Sequence, residues 1–487
     1  MALGTVFADA SAVVGLPEAV VRFLVCMLAT FPIHSAWPAL PPGWPRHVYS
    51  TATGVVLTVI SFGPETLKML LTMAVVYAAM IAMRSRCAAV AWGVSFTHLV
   101  YKKYGLYVDA EHVAQRPTLD YTTAAMVLTL KLISMAHCYG DGGRDDAELT
   151  PTQRERRLDR LPSVLELLGY TFSCGNLLVG PYNEMADYLA FTNNTGEYAK
   201  DMPRPTLSQR VSVSLRLACE ACIWAAFHVS VGARLPPKFL ATGAFAALPW
   251  LPDAARLLAG ELSPRALGKA LTTSLTMMGV RGKYYFAWMM AESSWALSGL
   301  AARRVDAEAK GAEEWAWDAM QNIHPLSCEF AASPVKISHD WNVKTGQWMR
   351  IYVYERITLF GKRPGAANQI VALAVSALWH GVYPGYFLTF ATFIPWVLAG
   401  KALFRLSRAA GPRLGPVLSG ANYVLARWGL DAITPPFVLL HLAPSMQVWS
   451  SLMWSPHLMV VFWLATCAAL TPRKRGRGRG DPRPKAE

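Results

Sequence analysis

Residues 376–386 read Ser-Ala-Leu-Trp-His-Gly-Val-Tyr-Pro-Gly-Tyr, and they place His380 inside one of the longest apolar runs of the chain. An ionisable ring at membrane depth is costly unless it has a partner or faces a water-filled cavity. Ser376, one helical turn earlier, is a candidate hydrogen-bond partner for a ring nitrogen. The glycines and the proline that follow predict a helix end, where the backbone can open around a ligand. The pattern predicts a functional histidine, with a histidine that only packs between helices as the structural alternative.

The composition around this run predicts an all-α, polytopic membrane protein. Of the 487 residues, 53% are hydrophobic and 16% are charged, whereas a soluble domain carries about 25% charged residues. Apolar segments of spanning length recur along the chain and predict about ten to twelve crossings or re-entrant helices. We expect one membrane domain over residues 1–472 and a basic, disordered cytosolic tail over residues 473–487.

The formal net charge of +14 indicates contact with membrane lipids. Basic residues cluster at the ends of apolar segments, for example Lys102 with Lys103 and Lys362 with Arg363, as the positive-inside rule describes. Nucleic acid is not expected as a partner, because the chain has neither an aromatic–basic RNA signature nor a zinc pattern. No metal-ligand set is visible either, and no metal or bound cofactor is expected.

A second informative segment runs from Asp340 to Arg350. Trp341, Thr345, Trp348 and Tyr352 are spaced by four, three and four residues, which predicts one face of a single interfacial helix. Asn342 lies near its start, where an asparagine amide can donate to a carbonyl oxygen while its own oxygen accepts. A helix N-terminal cap is the structural alternative for this asparagine.

Three further stretches contribute local expectations. Lys283 and Glu292 lie in an apolar run, nine residues apart, so each needs a partner or water, and a lysine that reaches the interface is the simpler interpretation for Lys283. Gly180-Pro181 predicts a helix break. Residues 302–320 mix charged side chains with tryptophans and predict an interfacial helix.

Together these segments resemble the membrane-bound O-acyltransferase family, and within it the lysophospholipid acyltransferase branch. The resemblance covers residues 120–400 and lies in Trp379-His380-Gly381 with Pro384-Gly385-Tyr386, Asp340-Trp341-Asn342 with Trp348, Tyr354-Glu355-Arg356, the block from Lys283 to Trp288, Trp317-Asp318 with Asn322, and Gly180-Pro181 with Asp187-Tyr188. The histidine motif with an upstream asparagine is far more specific than His380 alone.

The resemblance implies a many-helix fold around a chamber, with His380 as the catalytic base and Asn342 assisting it. The implied reaction moves an acyl chain from acyl-CoA, a co-substrate, to the free hydroxyl of a lysophospholipid in the endoplasmic reticulum membrane. Asn342 would either orient the acyl donor or stabilise an oxyanion. The expected substrate-binding residues are Trp341, Lys344, Trp348, Arg350, Lys362, Arg363, Ser376, Trp379 and Tyr383.

Four of those residues, Lys344, Arg350, Lys362 and Arg363, are candidates for the phosphates of CoA, with ordinary flanking charge as the alternative. Two other functions remain open at this stage. One is a family member that acylates a neutral lipid or a protein, and the other is a membrane transporter in which His380 relays protons. The lipid headgroup, the acyl chain, the acylated position and the oligomeric state are not specified by these residues.

Overall fold

The computed structural model describes residues 2–109, 118–173, 176–248, 268–305, 315–357 and 365–470, and these ranges are mainly helical. The first half contains α1 (Ala2–Val14), α2 (Glu18–Ala36), α3 (Trp44–Phe62), α4 (Met69–Ala82), α5 (Cys87–Val108), α6 (Thr122–Asp141), α7 (Pro151–Arg156), α8 (Val164–Thr171), α9 (Asn176–Val179), α10 (Met185–Asn193), α11 (Leu207–Arg234) and α12 (Gly243–Ala246). Single 3₁₀ turns cover Trp37–Ala39, Pro64–Lys68, Asp146–Glu148, Gly196–Tyr198 and Pro237–Ala241.

The second half contains α13 (Lys269–Ser298), α14 (Pro325–Glu329), α15 (Pro334–Asp340), α16 (Val343–Met349), α17 (Ala366–His380), α18 (Pro384–Ala409), α19 (Gly411–Ile433), α20 (Pro435–Leu439), α21 (Leu442–Ser451) and α22 (Ser455–Leu470). A π-helical turn, Arg350–Tyr354, continues α16. Strands β1 (Arg303–Arg304) and β2 (Trp315–Ala316) pair antiparallel. The predicted all-α class is confirmed. The predicted tail, 473–487, lies outside the described residues.

Four helical segments in the described ranges are long and apolar enough to cross a membrane: Glu18–Ala39, Pro64–Ala82, Leu207–Ala241 and Pro384–Ala409. The pair α21 and α22, bent by 68°, supplies a fifth if it forms one broken span. This number is below the ten to twelve crossings or re-entrant helices expected, since it includes only long and strongly apolar helices. Helix α6 is not among them, and its Lys131 is fully buried and donates to the Tyr170 carbonyl at 2.6 Å.

A buried ionic cluster joins α13, α14 and α19. Arg281 donates to the Glu329 carboxylate at 2.5 and 2.8 Å and lies 2.9 Å from Asp431. Arg427 contacts both carboxylates, reaching Asp431 at 2.7 Å. Glu329 also accepts from the Tyr285 hydroxyl at 2.7 Å. Two cations and two carboxylates therefore neutralise each other and fix α13 against the C-terminal helices.

Helix breaks fall where the glycine and proline signals predicted them. Helix α9 ends directly before Gly180-Pro181. The apolar run 367–404 divides into α17 and α18 at Gly381, whose φ of 139° lies in the region that favours glycine.

Two predictions about interfacial helices are wrong. Residues 302–320 form no helix in their described parts, because Arg303–Arg304 and Trp315–Ala316 pair as strands. The aromatic stripe is not one helical face either. Trp341 follows the end of α15, and α16 begins only at Val343. Between them Asn342 has a left-handed backbone, with φ 49° and ψ 51°, and interrupts the helix. A left-handed residue changes the chain direction, so the assumed 3.6-residue period does not continue through it.

Candidate active site

His380 is the last residue of α17, at the point where the chain turns into α18. A Cβ at Gly381 would lie 3.3 Å from the Tyr386 ring and 3.4 Å from the Lys103 side chain. The turn therefore brings the backbone after the histidine into close contact with α5 and with the start of α18. The absence of a side chain at 381 lets Tyr386 fold back beside the histidine.

The imidazole of His380 is enclosed by aromatic rings from three helices. Its ring centre lies 4.8 Å from Phe437 on α20, 5.6 Å from both Tyr386 and Phe390 on α18, and 4.9 Å from the adjacent Trp379. The side chain is nevertheless only half-buried. Packing thus fixes the orientation of the ring while part of it stays accessible.

Within the ranges that the structure describes, no hydrogen bond engages the ring nitrogens of His380. The predicted partner Ser376 is half-buried and forms no such bond among these residues. The ring nitrogens are consequently available to a molecule bound in the enclosure.

Asn342 occupies the N-cap position of α16 but does not cap it. Its backbone is left-handed, and its side chain accepts no hydrogen bond from the first turn of the helix. In the described part of the chain, no hydrogen bond to its amide group is formed. The alternative that Asn342 serves as a helix N-terminal cap is therefore wrong for its side chain, which caps no backbone N–H.

Trp341, next to Asn342, packs against an aromatic wall on α13. Its ring contacts Tyr284, Tyr285 and Trp288 with ring centres 5.3–5.9 Å apart. This packing fixes the indole that directly precedes the asparagine.

Two clefts are lined by residues other than these rings. The larger, of about 450 Å³, is lined by Arg204, Arg210 and Arg304, with Trp315 and the carboxylate of Glu197. The second, of about 390 Å³, contains His228, Lys283 and Val438 and lies beside α20. Both volumes are in the range of small-molecule sites, and the first is markedly basic.

Comparison with known proteins decides the family. A model described as the membrane-bound O-acyltransferase family matches residues 77–425. The chain is 30% identical over 447 residues to lysophospholipid acyltransferase 2 of Arabidopsis thaliana, covering 91% of each chain. It is 28% identical over 478 residues to lysophospholipid acyltransferase 1 of the same plant, covering 97% of this chain and 98% of the relative. The chain belongs to the membrane-bound O-acyltransferase family. It is therefore an integral membrane enzyme that transfers acyl groups to oxygen.

A further relative shows that the similarity extends beyond plants. Membrane-bound glycerophospholipid O-acyltransferase 2 of Homo sapiens is 27% identical over 493 residues, covering 94% of this chain and 87% of the relative. Residues 77–425, which the family model matches, include both His380 and Asn342, the two residues that the resemblance had indicated as catalytic.

The remaining predicted site residues that the structure describes fall into three groups. Trp341 and Lys344 lie beside Asn342, and Lys344 is half-buried. The carboxylates of Asp187, Asp318 and Glu292 attract its ammonium group, and this attraction competes with the predicted role of Lys344 as a phosphate ligand.

Trp348 and Trp379 belong to the packed interior. Their indole N–H groups donate to the carbonyls of Leu130 and Met126, both at 3.0 Å, and both side chains are buried. They shape the acyltransferase core behind the site, and ligand contact by either side chain stays a prediction.

Two predicted residues, Arg350 and Tyr383, lie outside the ring enclosure of His380. Arg350 is exposed and paired with Glu355 at 2.7 Å. Tyr383 is half-buried, with its ring 4.9 Å from Tyr107. Lys362 and Arg363 lie outside the described residues.

Nothing in the sequence indicated Phe437, whose ring makes the shortest contact to His380 among the described residues. Its ring centre lies 4.8 Å from the imidazole, slightly closer than that of the adjacent Trp379 at 4.9 Å. Phe437 lies 57 residues after the histidine in an ordinary apolar stretch, Pro435-Pro436-Phe437. No local pattern marks such a residue, because only the packing of α20 against α18 brings it to the site.

Proposed function

We propose that this enzyme transfers an acyl chain from acyl-CoA to the free hydroxyl of a lysophospholipid, with His380 as general base. The observation that carries the proposal is the half-buried, aromatic-enclosed His380 with no hydrogen bond to its ring nitrogens among the described residues. The names of relatives that cover nearly the whole chain, both lysophospholipid acyltransferases, support the lysophospholipid as acceptor.

The proposed step needs only one group that takes and returns a proton. His380 removes the hydroxyl proton while the oxygen attacks the thioester carbonyl carbon. The carbon–sulfur bond then breaks, and the CoA thiolate receives the proton. Such general-base assistance contributes about 10²–10⁴-fold to the rate. A neutral imidazole is the form that can accept the proton, and the apolar ring enclosure favours it over the charged form.

Asn342 has one of two tasks in this proposal. Its amide N–H donates to the thioester oxygen as negative charge develops, which in comparable sites is worth about 10²–10³-fold. Alternatively the same amide holds the acyl donor in place for attack. The side chain suits both, because no intramolecular hydrogen bond among the described residues occupies it.

The phosphates of CoA require a basic site. The cleft lined by Arg204, Arg210 and Arg304 supports an acyl donor of this charge better than Arg350, which is exposed and paired with Glu355. Guanidinium groups bind phosphate oxygens with paired hydrogen bonds. Use of acyl-CoA in a membrane points to the endoplasmic reticulum as the proposed location.

The decisive experiment uses membranes that contain the wild-type enzyme or His380→Ala. Labelled acyl-CoA is supplied with a panel of lysophospholipids, a sterol and diacylglycerol. We expect acylation of at least one lysophospholipid and a loss of about 10²-fold or more in the variant. His457→Ala is the matched control, because His457 is also half-buried against a tryptophan, with ring centres 4.4 Å apart, but lies on α22.

The outcomes separate the proposal from its alternatives. Transfer only to the sterol or to diacylglycerol would replace the lysophospholipid by a neutral lipid. Equal rates for wild type and His380→Ala would remove the histidine from the mechanism. Proton flux through reconstituted vesicles without any acyl transfer would favour a transporter.

A further inference from the structure

The first turn of α16 is capped by a residue from a distant part of the chain. A helix leaves its first backbone N–H groups without partners inside the helix. Here the N–H of Val343 donates to the backbone oxygen of Asn322 at 2.8 Å, and the N–H of Lys344 donates to the Asn322 side-chain oxygen at 3.0 Å. Asn322 therefore performs the task that an N-cap residue such as Asn342 would normally perform.

Asn322 is itself held by a buried carboxylate. Glu292 on α13 is 4% exposed and accepts hydrogen bonds from the backbone N–H groups of Asn322 at 2.6 Å and Ile323 at 3.2 Å. Both N–H groups donate to the same carboxyl oxygen, Oε1. The position of Asn322, and with it the start of α16, is thus anchored to the long helix that carries the aromatic wall.

The residues on the other side of Asn342 are fixed by the same segment. The His324 N–H donates to the Asp340 carbonyl at 3.1 Å, and the Ser327 hydroxyl donates to the Asp340 carboxylate. Residues 322–327 consequently hold the chain both before and after Asn342. The left-handed conformation of Asn342, φ 49° and ψ 51°, lies between these two attachments.

We propose that Glu292 and Asn322 are positioning residues that keep the Asn342 amide out of the helix cap and available to the substrate. Two asparagines compete for one cap. If the Asn322 side chain did not accept from the Lys344 N–H, Asn342 would gain by taking an extended conformation and capping its own helix. Its amide would then be turned toward α16 instead of the reacting groups. This inference rests on the proposed role of Asn342.

The test compares variants of the full-length enzyme in steady-state acyl transfer. Asn322→Ala and Glu292→Ala are expected to lower kcat by about 10²-fold, the loss typical of a misplaced polar group in an active site, with KM changed by less than about threefold. Glu292→Gln keeps an oxygen that can accept hydrogen bonds from the two N–H groups. We expect its kcat to be at least about tenfold higher than that of Glu292→Ala.

A matched control separates positioning from general damage. Asn422 is also a buried asparagine, donating to the Gly400 carbonyl at 3.2 Å, but it lies in α19. Asn422→Ala should lower the unfolding temperature of the purified protein without changing kcat. If Asn422→Ala lowers kcat as much as Asn322→Ala at equal loss of thermal stability, the effect is structural and the inference is overturned.

A double-mutant cycle between Asn322 and Asn342 completes the test. Asn322→Ala should cause no further loss in an Asn342→Ala background, because there is no amide left to position. A full second loss in the double variant would overturn the inference. Full activity of Asn322→Ala beside an inactive Asn342→Ala would also overturn it while leaving the proposed function intact. Full activity of Asn342→Ala would instead overturn the proposed role of that asparagine and the inference together.

Discussion

Removing the charge of Glu329 gives the sharpest test of how the buried ionic cluster holds this fold. The variant Glu329→Gln keeps the shape of the side chain and leaves Arg281 and Arg427 facing Asp431 alone. Glu329 is 1% exposed as a side chain, and Arg281 is 5% exposed, so water screens the resulting net charge poorly. Breaking a buried ion pair by removing one partner costs about 3–5 kcal/mol, and we expect a loss of this size in the free energy of unfolding.

A surface pair provides the matched control for this magnitude. Glu148 lies 3.2 Å from Arg144, but its side chain is 59% exposed. Exposed pairs of this kind contribute about 0–1 kcal/mol. Glu148→Gln should therefore leave the unfolding transition almost unchanged. Both variants are measured by reversible unfolding of the purified protein in mixed micelles, with the wild type alongside.

A second substitution tests whether the cost comes from charge imbalance. Glu329→Gln combined with Arg427→Met restores neutrality, because Arg281 and Asp431 remain as a pair at 2.9 Å. The double variant should be less destabilised than the sum of the two single variants, by about 0.5–3 kcal/mol. The reasoning is refuted if Glu329→Gln costs no more than Glu148→Gln, or if the two single losses simply add.

Two further predictions concern the site. A Cβ at Gly385 would overlap the Pro436 carbonyl oxygen. Gly385→Ala should therefore displace α20, with Phe437, from the His380 ring and lower the initial rate of acyl transfer by about 10²-fold. An unchanged rate would show that the contact between Phe437 and His380 is not needed for transfer. Asn342→Gly should change the unfolding free energy by less than about 1 kcal/mol, since glycine tolerates the left-handed backbone but gains entropy when unfolded, while activity falls by about 10²-fold. Met453, with φ 51°, is the control, and Met453→Gly should leave acyl transfer intact.

The site illustrates where reasoning from the chain succeeded and where it failed. The histidine before Gly381 was recognisable because burying an ionisable ring in an apolar run is costly and therefore uncommon without a purpose. The same reasoning suggested Ser376 as its partner, which the described structure does not show. Spacing places Ser376 on the correct turn but does not determine how its hydroxyl is directed.

The region around Asn342 failed for a different reason. A periodic pattern predicts one face only if the helix is uninterrupted. Here the left-handed Asn342, between Trp341 and Val343, separates two helices. The true cap, Asn322, is 22 residues away from the N–H that its side chain accepts. Local propensity contains no information about such a partner, because the approach depends on how Glu292 holds the intervening segment.

The amino-acid sequence by itself determined the helical membrane class, the helix breaks at Gly180-Pro181 and Gly381, and the histidine as the centre of interest. These features follow from local costs of burial and backbone conformation, which each residue and its neighbours set. Only the tertiary structure decided that Phe437 encloses His380, and that Asn322 caps the helix after Asn342. Both contacts join residues far apart in the chain, and the packing of α13, α18 and α20 alone brings them together.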